Sequence, residues 1–93
     1  MVVGVATVRL FIRESRSLKS KRRIVRAIKN RLRQKFNVAV SEVGALDNWQ
    51  IVELGVVTVS GGREVVDGTF RAMRGLLESH PEAALAGMDC EYL

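Results

Sequence analysis

The spacing of apolar residues switches between two and about 3.6 along this 93-residue chain, and no other feature narrows its fold as much. In residues 2–13, Gly4, Ala6, Val8, Leu10 and Ile12 alternate with Val3, Val5, Thr7, Arg9, Phe11 and Arg13, which predicts a strand with one fully apolar face. Ser17 then offers a hydroxyl to the free N–H groups of a helix start. From Leu18 to Phe36 the spacing is helical: Leu18, Val25, Ile28, Leu32 and Phe36 form one stripe with Ile24 at its edge, and Asn37 is a suitable stop. Residues 38–43 read as a second, shorter strand, and the turn-rich segment Gly44–Asn48 joins it as a hairpin to the β-branched strand 50–60. Gly61 and Gly62 break that strand. A second helix is expected over 63–79, with Val66, Phe70, Met73, Leu76 and Leu77 inward. Gly68 and Gly75, at the edge of its stripe, either permit close helix approach or are weak points. Pro81 prevents the helix from continuing, and residues 85–93 close the chain as a last strand, with Met88, Cys90 and Tyr92 alternating against Asp89 and Glu91.

The order βαββαβ, with right-handed crossovers, leads to an α+β sandwich. Four antiparallel strands in the order 4-1-3-2 carry both helices on one face, the ferredoxin-like or split βαβ fold. Ninety-three residues make a single domain, residues 1–93, and 47% apolar content is enough for a core without a metal or disulfide staple. Cys90 is the one cysteine, so no intrachain disulfide forms, which is compatible with a reducing cytosol. The N-terminal run lacks the charged start and cleavage site of a signal peptide. No apolar run approaches the roughly 20 residues that span a bilayer, so no membrane partner is expected and the cytoplasm is the expected compartment.

Charge is segregated along the chain. Residues 1–40 hold twelve Lys and Arg against one acid, Glu14, a balance of +11; residues 41–93 hold three against nine, a balance of −6; the whole carries +5. On a helical wheel Lys19, Arg22, Arg23, Arg26, Lys29 and Arg33 fall within a sector of roughly 120°, a cationic ridge about 20 Å long. Solvated helix faces usually mix signs to gain pairs three or four residues apart, whereas this helix contains no Asp or Glu. Lys19, Lys21 and Arg22 stand in the first turn, where the macrodipole is already positive and each cation is unfavourable by about 0.3–1 kcal/mol. An incoming phosphate would reverse that sign, and the Ser15 and Ser17 hydroxyls could join the cations in an oxyanion pocket. Lys21 lies nearer the apolar stripe than the ridge, so its stem can run along the sheet.

The outer sheet face is the second candidate surface. Val3, Val5, Arg9 and Phe11 lie beside Ile51, Val57 and Val59, an apolar face that needs covering, and pairing with a second copy would cover it. Phe11 between Arg9 and Arg13 resembles part of the base-stacking platform of RNA-recognition domains, but the aromatic-rich motif on the third strand is missing. Trp49, at the hairpin end, is expected to anchor packing, and His80 to cap helix carbonyls. One His and one Cys far apart make no metal cluster, and neither a phosphate loop GxxxxGK[ST] nor a nucleophile elbow GxSxG occurs, so neither enzymatic activity nor a cofactor is expected.

The run Ser15-Arg16-Ser17-Leu18-Lys19-Ser20-Lys21-Arg22-Arg23, with Phe36-Asn37-Val38, Ser41-Glu42-Val43, Trp49-Gln50, Glu53-Leu54-Gly55 and Val59-Ser60, resembles the YlxP-like proteins over nearly the whole chain. That resemblance implies the ferredoxin-like fold in a small bacterial protein of a family with no established activity, hence no catalytic residues to carry over. Genes of the family commonly neighbour those of translation initiation factor two and ribosome-binding factor A, which implies ribosomal or structured RNA as the polyanion. The expected function is a non-enzymatic RNA- or ribosome-associated binding module that works through the first helix and dimerises through the open sheet face. The alternative is a homo-oligomeric interaction module that takes a small anion at Ser17–Arg22.

Overall fold

A computed structural model describes residues 1–93. The elements are β1 (Val2–Ile12), α1 (Leu18–Lys35), β2 (Val38–Gly44), β3 (Ile51–Ser60), α2 (Arg63–Glu78) and β4 (Ala83–Tyr92). The strands form one antiparallel sheet in the order β2-β3-β1-β4, which read from the opposite edge is 4-1-3-2. β1 is an interior strand, paired from Val2↔Ser60 to Phe11↔Ile51 on one side and from Gly4↔Tyr92 to Ile12↔Ala83 on the other.

The period-two pattern decides which sheet face is buried. Ala6, Val8, Leu10 and Ile12 of β1 and Val52, Leu54 and Val56 of β3 join Ile24, Val25, Ile28 and Leu32 of α1 and Val66, Phe70, Met73 and Leu77 of α2 in one core cluster, so both helices cover the same face. A fully buried aliphatic side chain of this size stabilises the fold by about 1.5–3 kcal/mol. Thr58 continues the inward row at an edge of the core, where its hydroxyl donates to the Asn37 carbonyl.

Two expectations about glycine and strand register change. A Cβ on Gly68 or Gly75 would meet nothing within 4 Å, so neither serves helix approach. The tight position is Gly4, where a Cβ would overlap Val66 and come within 2.9 Å of the Phe70 ring, so α2 lies directly on the backbone of β1. β4 begins at Ala83 instead of Leu85, and its register shifts between Arg9↔Gly87 and Leu10↔Leu85. Ala86 is the extra residue of that bulge, which turns Leu85 and Met88 to the same face although they are three positions apart. The far end of β4 is tied to α2. The Tyr92 hydroxyl donates to Asp67, and the Arg63 guanidinium lies 4.6 Å over the Tyr92 ring. The hydrogen bond to the Asp67 carboxylate favours the protonated phenol and raises the Tyr92 pKa above its ordinary value.

Candidate nucleic-acid interface

α1 starts as its sequence suggests. Ser17 has extended backbone, its Oγ accepts the Ser20 N–H at 3.0 Å, and its carbonyl accepts the Lys21 N–H at 3.1 Å. The stripe Ile24, Val25, Ile28 and Leu32 faces the sheet and turns the opposite side of the helix to solvent. On that side Lys19, Arg22, Arg23, Arg26 and Arg33 are exposed and Lys29 is half-buried. No acid stands in the first turn, while Arg33 and Lys35 occupy the last.

The ridge carries little local compensation. The molecule has three ion pairs, Arg9–Glu53 at 2.7 Å, Lys21–Glu42 at 3.0 Å and Arg23–Glu82 at 3.4 Å. Only the last involves a ridge residue, and exposed pairs of that kind contribute about 0–1 kcal/mol. Arg33 donates to the Val40 carbonyl on edge strand β2 at 2.9 Å, which covers part of an otherwise open edge. Lys19, Arg22, Arg26 and Lys29 have no carboxylate partner. At the N-terminal half of the helix, Ser17, Lys19, Ser20, Arg22, Arg23 and Arg26 line a shallow concavity without a hydrophobic residue.

Lys21 departs from the expected set. Its side chain is 2% exposed, and its Nζ donates to the Ala45 carbonyl at 2.6 Å and lies 3.0 Å from Glu42 Oε2. The ammonium joins the start of α1 to the β2–β3 hairpin and is closed to an incoming anion. A buried lysine needs such a carboxylate and carbonyl, because an unpaired buried charge is unfavourable by several kcal/mol. The position of Lys21 within the apolar stripe was the visible signal; Glu42 as its partner had none. The oxyanion pocket loses further members. Ser15 is buried and its hydroxyl donates to the Ser17 carbonyl, while the Ser17 hydroxyl is occupied by its cap.

The outer sheet face carries the second group. Phe11, Val57 and Val59 are exposed there, and Val3, Val5 and Ile51 are half-buried. Val43 packs over Gly55, whose added Cβ would stand 3.1 Å from it, and Arg9 crosses to Glu53. Nothing in the chain covers this face. Cys90, by contrast, is on the helix side of β4, where desolvation foremost, with Asp89 and Asp67 behind it, raises its thiol pKa against the pull of Arg74.

Two lone residues take other roles than expected. Trp49 is 52% exposed and outside the core cluster, so it does not anchor packing. His80 Nδ1 accepts the Glu82 N–H at 3.1 Å at the entrance to β4, and it is the Ser79 hydroxyl that donates to the helix carbonyl of Leu76. No group of three or more His, Cys, Asp and Glu side chains gathers to hold a metal ion, and no helix is long and apolar enough to cross a membrane.

The fold and the surface together define a two-layer α+β domain whose first helix turns a cation-rich face without a single acid to solvent. Residues 3–90 match the family described as "Protein of unknown function (DUF503)", and the chain belongs to that family. It is similar to the uncharacterized protein YlxP of Bacillus subtilis (strain 168), with 33% identity over 81 residues that cover 87% of this chain and 88% of that one. The expected YlxP-like kinship therefore stands, and neither description carries an activity.

Proposed function

We propose that this protein is a non-enzymatic RNA-binding module of the cytoplasm, ribosomal RNA being its expected class of ligand, and that α1 lies along the phosphate backbone. The observation that carries this reading is the run of cations Lys19, Arg22, Arg26 and Lys29 along one side of α1 with no carboxylate partner. Four to six phosphate contacts by such a ridge release condensed counterions, so binding falls steeply with salt. For four to six contacts the logarithm of the binding constant should fall against the logarithm of salt with a slope of about −3 to −5.

Filter binding of a ribosomal RNA transcript at graded salt tests this. Arg26→Glu and Lys29→Glu should weaken binding about as much as Lys19→Glu, because each removes a phosphate contact of the same kind. Arg33 is a poorer probe, since its substitution also frees the Val40 carbonyl. A flat salt response, or no binding at low salt, overturns the proposal. Should only Lys19→Glu and Arg22→Glu matter, the ligand is a small anion at the start of α1. Against that alternative stands the internal use of Ser15, Ser17 and Lys21 at this turn.

We propose further that the open sheet face pairs with a second copy of the chain. Its strands carry Arg9 already paired with Glu53, and Asp89 and Glu91 at the β4 side, while the cationic ridge lies in the helix layer. Two copies can therefore meet sheet to sheet without opposing their ridges, which would point outward from the pair. Four strands about 4.8 Å apart, 7 to 11 residues long, present a footprint on the order of 600 Å². That is close to the roughly 800 Å² per partner of a standard interface.

A further inference from the structure

Trp49 raises a question that the cationic ridge leaves open. It is the one tryptophan of the chain and is 52% exposed, with Leu46 beside it in the same loop at 59%. An indole that contributes nothing to a core is normally mobile or near the surface by chance. This one is held. Asn48 Oδ1 accepts the N–H groups of both Gln50 and Ile51 at 2.8 Å, the Asn48 N–H closes the turn onto the Ala45 carbonyl at 3.0 Å, and the Gln50 carbonyl accepts the Ile12 N–H at 2.7 Å. The backbone on either side of Trp49 is thus fixed to its own turn and to β1. The same turn is fixed to α1, because the Lys21 ammonium donates to the Ala45 carbonyl at 2.6 Å. One lysine side chain therefore separates the loop that displays Trp49 from the first turn of the cationic helix.

We infer that the β2–β3 turn is a base-stacking site and that the RNA this protein takes is unpaired: phosphates lie along Lys19, Arg22 and Arg26 while one extruded base stacks on Trp49. The inference rests on the RNA reading of the ridge and names its substrate class. A ridge of cations alone accepts duplex and single strand alike, because phosphates carry the same charge in both. A half-exposed indole in the turn that is tied to the first turn of α1 distinguishes them. Bases inside a duplex present only their edges, whereas an unpaired base has a free face that stacks on an aromatic ring regardless of sequence. Asp47, at the apex of the turn, disfavours a phosphate at that spot and leaves it to a base.

Because Trp49 is the only tryptophan, its emission reports directly on the site. The test titrates the full chain, at low salt, with a single-stranded oligouridine and with a blunt RNA duplex of equal length. It follows tryptophan emission, and in parallel the anisotropy of end-labelled RNA. The single strand should quench the emission and the duplex should not. Trp49→Ala should weaken single-strand binding about tenfold by anisotropy, the loss of one base–aromatic stack. Duplex binding should not change, and Trp49→Phe should restore most of the single-strand affinity. Equal binding of both RNAs with unchanged emission, and no effect of Trp49→Ala, overturns the stacking site and leaves the ridge reading standing. No binding of either RNA overturns both. Circular dichroism of Trp49→Ala guards against a folding defect, which is not expected at a half-exposed side chain outside the core.

Discussion

A lysine ammonium tolerates burial only when charge and hydrogen bonds follow it inside. Lys21 meets that condition with the Ala45 carbonyl and the Glu42 carboxylate. Glu42 Oε2 is buried at ion-pair distance from the ammonium but accepts no aligned hydrogen bond. Ala45 is also the one residue other than glycine with a positive φ, 54°, so the bond to its carbonyl holds a backbone conformation that alanine disfavours. Removing the ammonium would leave a carboxylate and a carbonyl without a partner. Lys21→Met is accordingly expected to lower unfolding stability by about 2–3 kcal/mol in urea, below the full value for a buried pair because Glu42 is partly exposed. Adding Glu42→Gln should recover part of the loss. A loss under about 0.5 kcal/mol would show that the ammonium is dispensable.

Among the elements, the two helices use the same periodicity for different ends. α1 keeps one face for the core and places cations and uncharged side chains but no acid on the other, at an expense of about 0.2–0.5 kcal/mol for each like-charged pair such as Arg22/Arg26 and Lys29/Arg33. α2 mixes signs and contains two glycines that pack against nothing. Since Gly75 is exposed in open space within the helix, Gly75→Ala should stabilise the protein by about 0.5–1 kcal/mol, measured by thermal or chemical unfolding. Gly4→Ala should do the opposite, because its methyl group would meet Val66 and Phe70 in a close-packed interior. If both substitutions moved stability in the same direction, the packing of α2 over β1 would differ from that described.

At the scale of the whole molecule, the cationic ridge and the open apolar face lie on different layers. The helix layer bears the ridge on α1, and the outer sheet face bears apolar side chains with one internal ion pair and with Asp89 and Glu91 at its β4 side. That division would let two surfaces work independently under the proposed function, the first toward RNA and the second toward another copy of the chain. Val57→Lys places a charge at the centre of the sheet face and should yield monomers by sedimentation while leaving the RNA salt slope per protomer unaltered. A monomeric parent protein, or an unchanged mass for Val57→Lys, counts against the sheet-to-sheet pair.

Much of this was legible in the residue order. Alternation along residues 2–12 and the stripe from Ile24 to Leu32 each repeat with the period of their own element, so local geometry alone tells which side chains point inward. The same periodicity gathers Lys19, Arg22, Arg23, Arg26, Lys29 and Arg33 on one side of α1, because a helix converts spacing into direction. Pairings between distant segments follow no such rule. The partnership of Lys21 with Glu42, the closeness of Gly4 to Phe70, the bulge at Ala86 and the exposure of Trp49 depend on which surfaces meet once strands and helices pack. Periodicity assigns each side chain a direction, and only the tertiary fold supplies the neighbour it finds there.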